Sequence, residues 1–308
     1  MDRVVTYLHQ QSLLGELLRT NSKLARTQEQ ISTGKVGDQF ADIAEDAGVL
    51  LAAKRTLSRS ESYTNTAQEI ESRLSLQDLH VNTLVDQTNT LRMAITDALA
   101  NNSGIAFMER LDGVFRQAAN ILNTRVDGRY LYAGTRTDTA PVNVETLADL
   151  EAAPSVASIF DNNDVKPAAR VDESQTVEYG LLASDLGAEL FTVLKSIATF
   201  NSGPNGPISG ELTTAQRDFL TTELQNVIGA AENLNLEAAK NGLKQNEVAD
   251  ALVRHEDSGV VLKTLISDIE DVDMAEAITR LNQEQLAQQA SARVLAQLNT
   301  LTLLDFLE

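Results

Sequence analysis

All five prolines of this 308-residue chain lie in one window, between residues 141 and 207. Residues 1–140 and 208–308 contain none. A proline inside an α-helix costs about 3 kcal/mol, because it removes a backbone hydrogen bond and clashes with the preceding turn. This distribution predicts long helices on both sides of a middle segment that has a different structure.

Apolar residues before the window repeat with helical spacing. Between Ile70 and Ala98 the spacing alternates between four and three residues, as in a heptad repeat. Asn101-Asn102-Ser103-Gly104 interrupts this pattern, and a second helical run extends from Phe107 to Arg125. Asp127-Gly128 is the expected end of that second helix.

The same spacing returns after the window. It runs from Leu220 to Ile269 and, beyond Asp271-Val272-Asp273, from Ile278 to Leu295. Asp273 with Glu276 three residues later is typical of a capped helix start. Several seam positions are Gln, Asn, Thr or Ala, so an isolated coiled coil would be weak. We therefore expect surfaces of other chains to complete these helices.

The N-terminal segment has a looser helical pattern that includes Leu14, Leu17, Leu24 and Ile31. Gly34-Lys35-Val36-Gly37-Asp38 is expected to end this first helix near residue 32. Residues 38–56 are then interpreted as a loop followed by a short helix.

The proline window has strand signals. Ala169–Asp172 and Thr176–Gly180 alternate with a period of two, and Tyr130–Gly134 is aromatic and strand-like. A helix is expected near 184–200, followed by a turn-rich loop at 201–207. The predicted fold class is mainly α with a small β-rich insert, in which long antiparallel helical rods come from both termini.

The sequence therefore predicts five segments. They are an N-terminal assembly helix (1–40), an N-terminal helical rod (41–129), a β-rich insert that faces outward (130–207), a C-terminal helical rod (208–270) and a C-terminal assembly helix (271–308).

Composition excludes several classes of function. The chain has no Cys, which excludes disulfides, thiolate metal sites and a cysteine nucleophile. Its net charge of -19 argues against nucleic acid and anionic membranes as partners. Its N-terminus is too polar for a cleaved signal peptide, and the longest apolar stretch, Ala47–Ala53, is far too short to span a bilayer.

No residue pattern supports catalysis, a cofactor or a metal ion. His9, His80 and His255 lie far apart in sequence and lack a partner with metal-ligand spacing. Gly34-Lys35-Val36-Gly37 lacks the spacing of a phosphate-binding loop, and Asp161-Asn162-Asn163-Asp164 lacks the glycine and final glutamate of a calcium loop. The chain is therefore predicted not to be an enzyme, and its function is expected to lie in its helical surfaces.

Three stretches carry a resemblance to the flagellin superfamily, and within it to the hook-associated proteins of the hook–filament junction. Gln28-Glu29-Gln30-Ile31-Ser32-Thr33-Gly34-Lys35 resembles an element that the family has near its start, and Asp127–Pro141 is similar to a passage of the junction proteins. Asp271–Ser291 and the ending Leu301-Thr302-Leu303-Leu304-Asp305-Phe306-Leu307 resemble the family's C-terminal end. The family usually has an Asp-Asp-Pro turn where this chain has Ala41–Gly48, without proline.

The resemblance implies a structural protein of the bacterial flagellum that is secreted through the flagellar type III apparatus. Its expected partners are sister subunits in a homo-oligomeric ring, a neighbouring hook-associated protein, flagellin on the filament side, and an export chaperone at the C-terminal helix. It implies an extracellular location at the hook–filament junction. A filament flagellin is the first alternative; a binding domain or enzyme in residues 130–205 and an unrelated helical adaptor are the others.

The predicted interface with sister subunits and the chaperone consists of apolar residues from both terminal helices. They are Leu17, Leu24, Ile31, Ile278, Leu281, Leu295 and Leu298.

Overall fold

A computed structural model of the chain describes residues 2–37, 44 and 46–307, with side chains for 11–37, 44 and 46–297. Seven helices lie in the described residues: α1 (Asp2–Thr33), α2 (Ala47–Ala100), α3 (Phe107–Leu122), α4 (Leu147–Ala152), α5 (Ala183–Ser202), α6 (Thr214–Glu270) and α7 (Met274–Leu307). The prediction of a mainly helical fold is confirmed.

The strands form two small antiparallel hairpins within the described residues. Strand β1 (Arg125–Val126) pairs with β2 (Arg129–Tyr130), and β3 (Ala168–Arg170) pairs with β4 (Thr176–Glu178). The period-two pattern therefore predicted the two strands of the second hairpin correctly. The strands are short. The proline window, residues 141–207, also contains α4, α5 and a 3₁₀ helix, Ala157–Ile159.

Two local predictions were wrong. Helix α3 ends at Leu122, and Asp127-Gly128 forms the tight turn between β1 and β2, with φ of 52° and 77°. Two successive residues with positive φ are what a two-residue hairpin turn needs, so Asp-Gly is a hairpin signal here and not a helix end. The expected short helix before residue 56 is the first part of α2, which continues without a break to Ala100.

The chain divides into two compact units, and each is described by itself. The unit formed by residues 60–256, called the central unit, contains the larger hydrophobic core. Residues from α2, α3, α5 and α6 fill this core, and Phe191 makes edge-to-face contacts with Phe115 and Phe160, with ring centroids 5.7 and 5.8 Å apart. A second, smaller cluster joins α2, α6 and the β3–β4 hairpin.

The second unit, called the terminal unit, consists of residues 1–59 and 257–308. Its main packing is between α1 and α7. Among its described side chains, the buried apolar residues are Leu50, Ala53, Val272 and Ala277.

Candidate assembly surface

Two sequence motifs from opposite ends of the chain meet in the terminal unit. Lys35 and Asp271 form an antiparallel bridge. The backbone N–H of Val36 donates to the carbonyl of Glu270 at 2.8 Å, and that of Val272 donates to the carbonyl of Gly34 at 2.9 Å. The Ser-Thr-Gly-Lys element and the Asp-Val-Asp element are therefore in direct backbone contact.

The local backbone on the N-terminal side explains how this bridge forms. Gly34 has a φ of 73°, a conformation that a glycine adopts without steric cost, and it ends α1 by donating to the carbonyl of Gln30 at 2.8 Å. The side-chain amide of Gln30, which is buried, donates to the carbonyl of Val36 at 2.6 Å. The turn is therefore held by both the main chain and a buried side chain.

Asp273 starts α7 on the C-terminal side of the bridge. Its Oδ1 accepts hydrogen bonds from the backbone N–H groups of Ala275 at 2.9 Å and Glu276 at 3.1 Å. These bonds satisfy two amide groups that have no partner within the helix. The predicted helix start at Asp273 is confirmed, because the Asp273 side chain acts as the N-cap.

An ion pair lies beside the bridge. The ammonium group of Lys54 on α2 contacts the carboxylate of Glu270 at the end of α6. Because the Lys54 side chain is 45% exposed to solvent, this pair is expected to add little to the stability of the fold.

The predicted interface residues lie on α1 and α7, two helices that pack together. Leu17, Leu24 and Ile31, spaced seven residues apart on α1, are half-buried, as are Leu281 and Leu295 on α7. Asn21 and Gln288 link the two helices by a side-chain hydrogen bond of 2.6 Å. These apolar positions therefore lie within the helix pair and retain part of their surface.

The other two predicted residues differ from these five. Ile278 is 47% exposed, so it contributes little to packing within the chain. Leu298 lies in α7, but its side chain is outside the described residues.

Sequence reasoning missed an additional set of exposed apolar residues. They lie on helices of the terminal unit and include Leu14, Leu18, Val260, Val261, Leu286 and Val294. Leu14 and Leu18 are four residues apart on α1, a spacing that places them on one face. That spacing was visible in the sequence, but only contact between α1 and α7 distinguishes the exposed face from the packed one.

Open cavities of ≈ 480 and ≈ 430 Å³ lie in the central unit. Lys195 borders the larger one, and its ammonium group donates to the carbonyls of Leu150, Glu151 and Ala153 at 2.6–2.9 Å. It thereby caps the C-terminus of α4, which leaves it no spare donor for a ligand.

Within the described part of the chain, no group of three or more His, Cys, Asp or Glu side chains could hold a metal ion. None of the described helices is long and apolar enough to cross a membrane.

One buried polar contact in the central unit is electrostatically unusual. The hydroxyl of Tyr132, which is fully buried, lies 2.8 Å from Nδ1 of His80 on α2. Burial lowers the pKa of His80 and raises the pKa of Tyr132 above its usual range. Both shifts favour the neutral groups, so the contact is a neutral hydrogen bond at neutral pH.

Comparison with known proteins shows which proteins this chain is similar to. Residues 224–307 match the family model for the bacterial flagellin C-terminal helical region. Flagellar hook-associated protein 3 of Escherichia coli (strain K12) is 23% identical over 326 aligned positions, which cover 96% of both chains.

Two solved structures have the same fold. A protein from Vibrio parahaemolyticus assigned as a flagellar hook-associated protein aligns with a TM-score of 0.60 at 15% identity, covering 75% of this chain and 100% of that one. FlgL of Bacillus cereus aligns with a TM-score of 0.56 at 12% identity, covering 70% of this chain and 99% of that one. The resemblance to the flagellin superfamily, and within it to flagellar hook-associated protein 3, is confirmed.

Proposed function

We propose that this chain, as a relative of flagellar hook-associated protein 3, is a structural subunit of the bacterial flagellum that helps to join hook and filament. The observation that carries this proposal is the similarity to the Escherichia coli protein, because it extends over 96% of both chains and so includes the insert as well as the helical ends. The role is one of assembly and not of catalysis.

The surface of the terminal unit supports an assembly role. Ile278, Leu286 and Val294 on α7 are exposed, and Leu17 and Leu281 retain part of their surface although α1 packs against α7. Burial of apolar surface contributes about 25 cal/mol per Å², so sister subunits that cover these side chains would stabilise a ring. The proposal includes two neighbouring proteins of the ring, which are a second hook-associated protein on one side and flagellin on the other.

Deletion of the gene tests the junction role. Cells without the protein should still build hooks but release filament subunits into the medium. Complementation with the unaltered gene should restore filaments. Normal filament growth in the deletion strain would contradict the proposal.

A filament flagellin is the second candidate, because the matched family model is that of the flagellin C-terminal region. The number of copies in each flagellum distinguishes a junction protein from a filament flagellin. A junction protein occurs in a small fixed number of copies for each flagellum, whereas filament flagellin increases with filament length.

We also propose that α7 carries the export chaperone surface before assembly. Leu295→Asp replaces a half-buried leucine of α7 and should weaken chaperone capture in a pull-down with the full chain. Asn282→Asp, at an exposed polar position of the same helix, is the matched control and should leave capture unchanged. Equal capture of both variants would argue against this surface.

A further inference from the structure

The exposed side of α1 combines apolar residues with positive charge. Leu14 and Leu18 are exposed, and so are the neighbouring Arg19 and Lys23. Arg19 and Lys23 are four residues apart, so they share one side of the helix. Residues 17–28 contain three basic residues and no acidic one, although the whole chain has a net charge of -19. These four exposed residues are called the α1 face.

The last part of α6, within the terminal unit, combines apolar residues with negative charge. Leu262, Ile266 and Ile269 are half-buried and mark its packed side. The other side is exposed and is called the α6 face, which consists of Asp257, Val260, Val261, Leu265 and Asp268. Residues 257–271 contain four acidic residues and one basic residue, Lys263. The α6 face is therefore opposite in charge to the α1 face.

The two faces also match in size and in apolar content. Each extends about 15 Å along its helix. Leu18 is 61% exposed and Val261 is 68% exposed, so neither face is covered within the chain. Burial of these side chains against each other would be favourable, because it removes apolar surface from water.

The net charge of the chain indicates which molecule the α1 face meets. Two copies that each carry a charge of -19 repel each other over most of their surface. A basic surface on such a chain is therefore a place where an acidic surface of another copy is attracted. Electrostatic complementarity of this kind selects the surfaces that meet and the orientation in which they meet.

We propose that the α1 face of one copy docks on the α6 face of a second copy of this chain. The docking joins two different surfaces, so every copy offers one of each. Such a heterologous contact repeats from copy to copy until it closes a ring or continues as a helix. The inference rests on the proposed function, because a ring of sister subunits is the assembly that this contact would build.

The docking area is small. Two helix segments of about 15 Å bury less than the roughly 800 Å² per partner that is typical of a stable complex. The contact should therefore be populated at high protein concentration, or together with other contacts in the ring, and not in dilute monomer.

Cysteine cross-linking between two forms of the full chain tests the docking, because the protein has no cysteine of its own. One form carries Leu18→Cys and an affinity tag, and the other carries Val261→Cys without a tag. At about 1 mM protein, where contacts with a Kd in the millimolar range are populated, a bis-maleimide should join the tagged chain to the untagged one. Met93→Cys, at an exposed position of α2 in the central unit, replaces Leu18→Cys in the control and should give at least about tenfold less product.

Charge reversal shows whether the two faces carry the contact. Arg19→Glu with Lys23→Glu in the Leu18→Cys form should lower the yield about tenfold, because attraction to the α6 face becomes repulsion. Asp257→Lys with Asp268→Lys in the Val261→Cys form should lower it similarly when the other form has its own α1 face. When the two reversed forms are mixed, opposite charges face each other again and the yield should recover.

A matched control keeps the same change in net charge but places it elsewhere. Arg92→Glu with Arg217→Glu, at exposed positions of the central unit, should leave the yield unchanged in the Leu18→Cys form. A Leu18–Val261 yield no higher than that of the Met93 control would overturn the docking. Reversed forms that keep their helix content by circular dichroism, yet do not recover on mixing, would also overturn it. If a reversed form loses its helix content, the comparison with the Met93 control decides alone.

Deletion of the gene tests the junction role independently of this contact. If filaments depend on the protein but the Leu18–Val261 product is absent, the junction role stands and only the docking of the two faces is overturned.

Discussion

Both units expose some large apolar side chains, but residues 60–256 also bury a large shared core from α2, α3, α5 and α6, whereas residues 1–59 and 257–308 bury few of their described apolar side chains. Both regions consist mainly of long helices with similar spacing of apolar residues. They differ in what covers those residues. The central unit supplies additional helices and a hairpin from the proline window, and the terminal unit has no such cover among its described residues.

This difference indicates that the two units have different roles. A region that buries its own apolar surface can fold as a monomer, because burial offsets the loss of chain entropy. A region that leaves such surface exposed gains the same stabilisation only when another molecule covers it. The central unit is thus the stable body, and the terminal unit is the proposed site of assembly.

The largest effect is expected from a core substitution in the central unit. Phe191→Ala removes a fully buried ring that contacts Phe115 and Phe160, and it should lower the free energy of unfolding by about 3–5 kcal/mol. Denaturant unfolding of the purified monomer measures this loss. The matched variant Leu18→Ala, at a residue that is 61% exposed on α1, should change it by no more than about 0.5 kcal/mol. Equal losses in both variants would remove the contrast between the two units.

A smaller effect is expected at the start of α7. Asp273→Ala removes the side chain that accepts from Ala275 and Glu276, which should destabilise the first turn by about 0.5–2 kcal/mol. Hydrogen exchange of amides in this turn measures the local free energy of opening. Asp268→Ala, at an exposed position within α6, is the control. Unchanged exchange in the Asp273 variant would mean that the bridge to Gly34 alone holds the start of α7.

The smallest effect is a pH dependence in the central unit. Because the pKa of His80 is lower in the folded chain, the unfolded chain takes up a proton first as the pH falls through about 6.5. The stability contributed by neutral His80 is thus complete above that pH and decreases below it. Denaturant midpoints between about pH 7.5 and 5.5 should fall less in His80→Gln than in the unaltered chain. Parallel pH profiles would assign the decrease to other groups.

The sequence predicted the long helices well, because heptad spacing and the absence of proline are local signals. The end of α1 near Gly34 and the start of α7 after Asp273 follow from equally local rules of helix capping. By contrast, the contact between Gly34 and Val272 joins residues from opposite ends of the chain. No local pattern encodes that contact.

The exposed and packed sides of α1 illustrate a second limit of prediction from sequence. Leu17 and Leu18 are adjacent leucines with the same local propensity, yet Leu17 is half-buried and Leu18 is exposed. The position of α7 decides which of the two is covered. Similarly, the hydrogen bond from the amide of Asn241 to the Leu74 carbonyl joins residues that are far apart in the sequence.

Limited proteolysis tests most directly whether the chain ends are completed by other molecules. In dilute monomer, residues 1–40 and 270–308 should be cut first and leave a resistant fragment that contains residues 60–256. In the assembled protein, the same end segments should resist cleavage. Intact chain ends in the dilute monomer, under protease conditions that cut a Phe191→Ala variant throughout, would contradict the account.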